Sequence, residues 1–282
     1  MKLARFQTDD GPKLGLVEAE QVADLTGAGL AYPTMLALIQ AGPDGLDAVR
    51  TTALGAPRRP LADVELLAPI ERPGKYLAIG MNYQKHLEEA DRLGVQRSQH
   101  QVWFNKQTTC LAGPFDIIEP GVTEKLDYEA ELGLVIGRRA KAVTAENALS
   151  YVFGYFVAND VSARDWQFHS PTFTMGKSFD THGPIGPWIV TADEIPDPQT
   201  LELRCWVNGE IRQSNNTANM LHRIDAQIAY LSTAFTLEPG DLIATGTPEG
   251  VGVGRQPPTF LQSGDVIRCE VEKIGAIENK VA

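Results

Sequence analysis

Residues 126–137 read LDYEAELGLVIG. In extended form successive side chains alternate between two faces, so Leu126, Tyr128, Ala130, Leu132, Leu134 and Ile136 share one side. That side is apolar throughout, which predicts a strand packed on a core. The opposite side begins with Asp127, Glu129 and Glu131. Glu129 and Glu131 are two positions apart, hence on one face and separated by roughly 6.5–7 Å. The three acids fit two readings: a solvent-washed strand face, the usual fate of such residues, or the floor of a site.

Working outward, YVFGYFVAND (151–160) is an apolar run that ends abruptly at Asn159 and Asp160. It predicts a second buried strand with an acid at its mouth. If Glu129 and Glu131 are buried, two charges at that spacing repel by roughly 2.4 kcal/mol at an effective dielectric near 20. Desolvation would then force one carboxyl to keep its proton. A divalent cation removes both problems. With Asp160 as third carboxylate and no Cys or His in the set, the donors suit Mg²⁺, with Mn²⁺ or Ca²⁺ as alternatives, and not Zn²⁺. A second Glu-x-Glu, Glu270 and Glu272 in CEVEKIG, has no third acid behind an apolar run and is read as surface.

NYQKHLEEADRLG (82–94) predicts a helix that stops at a glycine, with His86, Glu89, Ala90 and Leu93 on one face. A carboxylate one turn from an imidazole fixes its tautomer and raises its basicity, which makes a base for use near neutral pH. The same polar run also fits an ordinary solvated helix. ANDVSARDWQ supplies Arg164 and Gln167 just after Asp160, and FTMGKSFDTHGPIG supplies Lys177 behind a glycine, either a site cation or an exposed lysine. ATGTPEGVGVG lacks the GK[ST] ending of a phosphate loop and is read as a tight turn that lets backbone approach a ligand.

The frame around these segments is a chain of 282 residues, 43% hydrophobic, with a net charge of -11. An acidic chain without a Lys/Arg run excludes nucleic acid as the expected partner. Three scattered cysteines, Cys110, Cys205 and Cys269, argue against a disulfide framework or a zinc-thiolate site. The N-terminus lacks a signal-peptide core, and no apolar stretch reaches membrane-spanning length, so the expectation is a cytoplasmic protein with no membrane partner. Residues 1–70 read as a small α+β appendage, with PTMLALIQAG as a helix and the Pro-rich segment 55–74 as a connection. Residues 71–282 read as the body, an α+β domain that is mostly β, because short β-branched runs bounded by turn residues dominate. A second helix is expected over 219–235.

Five segments in order, GMNYQKHLEEA, DYEAELGLVIG, GYFVANDVSARDWQ, GKSFDTHGPIGP and IATGTPEGVGVG, resemble the fumarylacetoacetate hydrolase family over residues 74–282. The resemblance implies that family's mixed β-roll. It implies metal ligation by Glu129, Glu131 and Asp160, a His86–Glu89 dyad, and substrate contacts from Arg164, Gln167, Lys177 and Thr247. The dyad spacing is that of the acylpyruvate-acting branch. The expected reaction is hydrolysis of a carbon–carbon bond in a 2,4-dioxo acid, an acylpyruvate or a diketo-deoxy sugar acid, to pyruvate and a carboxylic acid. His86 would activate the water, and Lys177 would help to stabilise the departing enolate. A decarboxylase of the oxaloacetate type, or a keto-acid isomerase or lyase, would use the same site. A protein that only binds a metal or keto acid would have no need of a base. The resemblance also implies a homodimer.

Overall fold

A computed structural model describes all 282 residues. The opening stretch forms the strands Leu126–Asp127 and Ala130–Ile136, the latter in the middle of a twelve-stranded sheet. Its neighbours are Val152–Asn159, antiparallel with Glu131 opposite Ala158, and Leu242–Ala244, antiparallel with Gly133 opposite Ala244. The sheet continues beyond Leu242–Ala244 through Tyr76–Gly80 to Val102–Lys106.

Ala130–Ile136 is buried on both faces. Leu132, Leu134 and Ile136 join a core of 34 residues that fills the space up to a second, four-stranded sheet. Val135 faces a separate core of 24 residues on the other side. Gly133 is needed there, because a Cβ at that position would lie 2.2 Å from the Phe156 ring. The odd-numbered face is therefore not washed by solvent. Its acids, Asp127, Glu129 and Glu131, are each at most 5% exposed.

The N-terminal residues are built into this frame. Lys2–Thr8 pairs with Gly183–Thr191 of the body, placing Leu3 opposite Ile189. Leu3, Leu16 and Ile39 share a core with Tyr76, Phe156 and Ile185. The 55–74 segment is more than a connection. It contributes Arg58–Pro60 at the sheet edge and Glu65–Leu67 beside Lys2–Thr8. Prolines and charges suit short edge strands, whose outer hydrogen-bonding groups face water.

The helix expected over 82–94 runs Gln84–Arg92, and that over 219–235 runs Ile224–Ala234. Elements beyond the sequence reading include the helix Pro43–Ala53 and the strand Val102–Lys106. The run LELRCWVNG proves to be half of a hairpin, Glu202–Val207 with Glu210–Asn216. Asn208 and Gly209 turn it with φ of 52° and 79°, the left-handed pair that Asn-Gly supplies. No helix is long and apolar enough to cross a membrane.

Candidate metal centre and its cleft

The second apolar strand stops at Asn159, and Asp160 follows, fully buried. Asp160 N–H donates to the Glu129 carbonyl at 2.9 Å, and Glu129 N–H donates to Asn159 Oδ1 at 3.0 Å. These bonds hold the two chain ends together. Carboxylate oxygens of Glu129, Glu131 and Asp160 consequently fall within 4.8 Å of one another. The second Glu-x-Glu is elsewhere and superficial: Glu270 pairs with Arg268 at 2.7 Å.

The three acids differ in what compensates them. Lys177 Nζ is 2.8 Å from both Glu129 and Asp160. Arg164 Nη2 is 2.7 Å from Glu129. Burial alone would raise the Glu129 carboxyl, but Lys177 and then Arg164 override it and hold it at about 2. Asp160 also receives Lys106, a side chain wholly removed from solvent. Glu131 has no cation. Its one hydrogen-bond donor is Gly246 N–H at 2.7 Å. Burial, then Asp160 and Glu129, push its carboxyl well above the usual range. A buried acid crowded by two carboxylates and lacking a counter-ion calls for positive charge, and three carboxylates converging without Cys or His fit a divalent cation that prefers oxygen.

Lys106 escaped the sequence reading because its strand was not recognised; a lysine closing the short run VWFN is the available signal. Burial pulls its ammonium down, but Asp160 more than restores it, so its charge is fixed. Nearby His182 is fully buried, with one ring nitrogen on the Glu119 carbonyl at 3.0 Å. Burial, then Lys106, lowers its pKa from 6.5 to about 4. The unfolded chain therefore binds a proton below pH 6.5 that the folded chain refuses. Between pH 6.5 and 4 this one residue should remove about 3 kcal/mol of stability. Urea unfolding of His182→Gln should show a shallower acid limb than the wild type; parallel limbs would contradict this.

Above the triad opens a cleft of about 640 Å³. His86, Glu89, Glu129, Arg164, Gln167, Lys177 and Thr247 all line it, whereas Glu131 and Asp160 lie beneath the surface. His86 Nδ1 is 3.1 Å from Glu89 Oε2. Glu89 is itself fixed from the other side, since Gly250 N–H donates to its Oε1 at 3.0 Å. The helix is thus a site element and not a solvated face.

Gly176 lets Lys177 reach the acids, because a Cβ there would sit 2.3 Å from Gln167 Cα. Arg164 is held three ways: Nε on Asp127 at 2.8 Å, Nη1 on Gln167 at 3.0 Å, and Nη2 against Glu129. Thr247 is more occupied than a substrate contact would be. Its hydroxyl donates to the Ala130 carbonyl at 2.9 Å and accepts from Gln213 at 2.8 Å, which leaves one lone pair.

The glycine-rich loop does approach negative charge, but the charge is the protein's own. Gly246 N–H serves Glu131 and Gly250 N–H serves Glu89, while Gly252 and Val253 N–H serve Asp127 at 2.7 and 2.9 Å. Gly250 tolerates no side chain, since a Cβ would be 2.0 Å from the Arg212 carbonyl. Asp127 thereby gains a role: it ties Arg164 to the loop.

The family model for the fumarylacetoacetate (FAA) hydrolase C-terminal domain matches residues 75–282, and that for the Rv2993c-like N-terminal domain matches residues 1–69. The chain is 42% identical to oxaloacetate tautomerase FAHD2A, mitochondrial, of Bos taurus, covering 100% of this chain and 91% of that protein. Among solved structures, a fumarylacetoacetate hydrolase of Exiguobacterium antarcticum is 41% identical with a TM-score of 0.87, covering 100% of this chain and 99% of that one. Maleylpyruvate hydrolase of Sphingobium sp. SYK-6, in complex with manganese(II) and pyruvate, is 35% identical with a TM-score of 0.82, again over 100% and 99% of the two chains.

Proposed function

The chain belongs to the fumarylacetoacetate hydrolase family, and from that premise we propose that it is a divalent-metal-assisted enzyme interconverting the keto and enol forms of an oxaloacetate-type 2-oxo acid. The observation that carries this reading is that the His86–Glu89 pair and Glu129 line one cleft, with the other two acids of the triad directly behind Glu129. The name of the Bos taurus relative, similar along the whole chain, favours tautomerisation over the hydrolysis expected from the sequence.

Glu129, Glu131 and Asp160 would hold the ion, which when bound supplies positive charge that polarises the substrate's carboxylate and 2-oxo group. The chain's own residues supply the rest. In the neutral ring, a hydrogen on Nδ1 directed at Glu89 leaves the lone pair on Nε2. In the forward direction Nε2 takes a proton from C3 and the 2-oxygen takes one from solvent water to give the enol; in the reverse the enol oxygen gives its proton to solvent and Nε2–H returns one to C3. Lys177 and Arg164, fixed by their ion pairs, set positive charge near the oxygen that becomes negative and need no reorganisation as it does so. Gln167, bonded to Arg164, orients the carboxylate end.

Lys125 also lines the cleft, is exposed, and makes no ion pair, unlike Arg164 and Lys177. It is placed to meet the far carboxylate of a diacid. At an exposed site this is worth a modest amount, so Lys125→Ala should raise KM for oxaloacetate about three- to fivefold with kcat little changed. An unchanged KM would remove Lys125 from the account.

Hydrolysis is the second reading, favoured by the structural likeness to maleylpyruvate hydrolase. There His86 Nε2 would take its proton from a water instead of from C3. The two separate in one assay with metal-loaded protein. Enol-to-keto relaxation of oxaloacetate should be accelerated with no pyruvate released. Relaxation no faster than in buffer with metal would overturn the first reading, and pyruvate release from acylpyruvates would establish the second. Pyruvate release from oxaloacetate would indicate decarboxylation.

A further inference from the structure

The cleft is larger and more apolar than a four-carbon diacid requires. At about 640 Å³ it falls among pockets that enclose much bulkier ligands. One wall is a chain of aromatic rings. Lys177 Nζ stands 5.1 Å from the centroid of Phe104. The Phe104 ring meets Phe173 edge-on at 6.0 Å, and Phe173 meets Phe168 edge-on at 5.5 Å. Phe104 is buried, whereas Phe168 is 61% exposed. All three line the cleft, so the wall runs from the buried ammonium to solvent.

The middle ring is held at a conformational cost. Phe173 has φ of +59°, a left-handed backbone that bulky residues avoid. Its carbonyl accepts from Gly176 N–H at 3.0 Å and Lys177 N–H at 3.2 Å, so the turn that aims Lys177 at the acids also sets the Phe173 ring in the wall. Proton transfer at C3 uses none of these rings. A carboxylate lying against them would lose hydration without gaining a partner.

We propose that the cleft also accepts 2-oxo acids whose distal end is flat and apolar, such as 4-aryl-2,4-dioxo acids, with the aryl group lying along the Phe104–Phe173–Phe168 wall. The proposal rests on the reading above for how the carboxylate and 2-oxo end is held, and adds the class of substituent at the other end.

The test is calorimetric binding of acetylpyruvate and benzoylpyruvate to the metal-loaded, full-length protein. Benzoylpyruvate should bind about tenfold more tightly, the scale of one good aromatic contact. Phe168→Ala, an exposed position whose change does not threaten folding, should remove most of that advantage and leave acetylpyruvate within about twofold. Equal affinities in the wild type, or an equal loss for both ligands in the variant, would overturn the aromatic wall alone. Failure of both ligands to bind would instead overturn the 2-oxo acid reading.

Discussion

His86→Ala should lower kcat for oxaloacetate tautomerisation by about 10²–10⁴, the range for loss of a positioned general base. The metal site should survive, because His86 hydrogen-bonds none of Glu129, Glu131 and Asp160; its one side-chain hydrogen-bond partner is Glu89 at 3.1 Å. Glu89→Gln should cost less than His86→Ala, since the amide can still hold the ring but no longer favours charge on it. Loss of metal binding in His86→Ala, or an unchanged kcat with metal bound, would remove the base from the account. If kcat fell equally for tautomerisation and for any hydrolysis observed, one nitrogen would be serving both.

Glu131→Gln should abolish tight divalent-cation binding and, with it, turnover. Glu131 is the acid of the triad without a compensating cation, so its charge is the part of the proposed site that an ion would satisfy. The sign of the accompanying effects follows from its raised pKa. Burial and the two neighbouring carboxylates favour a proton on Glu131 in the metal-free protein, and an ion binds in competition with it. Affinity should therefore rise with pH, with protons released on binding. The neutral amide relieves the crowding by Asp160 and Glu129, so metal-free Glu131→Gln should melt no lower than metal-free wild type. What disappears is the gain on adding metal, about 2.7 kcal/mol for the wild type at a hundredfold excess over Kd. A variant that still gains stability from metal would show that the triad is not the binding site.

The strand pattern around residues 126–137 was legible because a period of two is robust; the abrupt end of the second apolar run marked Asp160 as an acid at a strand mouth, and the structure buries it beneath the cleft instead of on its lining. What sequence alone left open was whether the odd face of the first strand is wet. That depended on Gly133 and Val135, which pack against Phe156 and a second core that no local pattern announces. Lys106 was missed for a related reason: five residues, VWFNK, carry too little alternation to declare a strand. The glycine-rich loop was recognised as a close-approach turn, but its amides serve Glu131, Glu89 and Asp127, partners more than 100 residues away in the chain. Asp127 had no role in the sequence reading for the same reason. Thr247 entered through family resemblance, and its hydroxyl is largely spent on Ala130 and Gln213.

The central claim is that the triad, once it holds an ion, turns this cleft into an enolising site. Its most direct test is a titration of metal-free protein with Mn²⁺ in D₂O, following by NMR the exchange of C3 hydrogens of a 2-oxo acid. The account predicts exchange near the buffer background without metal, rising in proportion to occupancy of one site per chain and absent in Glu131→Gln. Full exchange by the metal-free protein, or none at saturating metal, would contradict it.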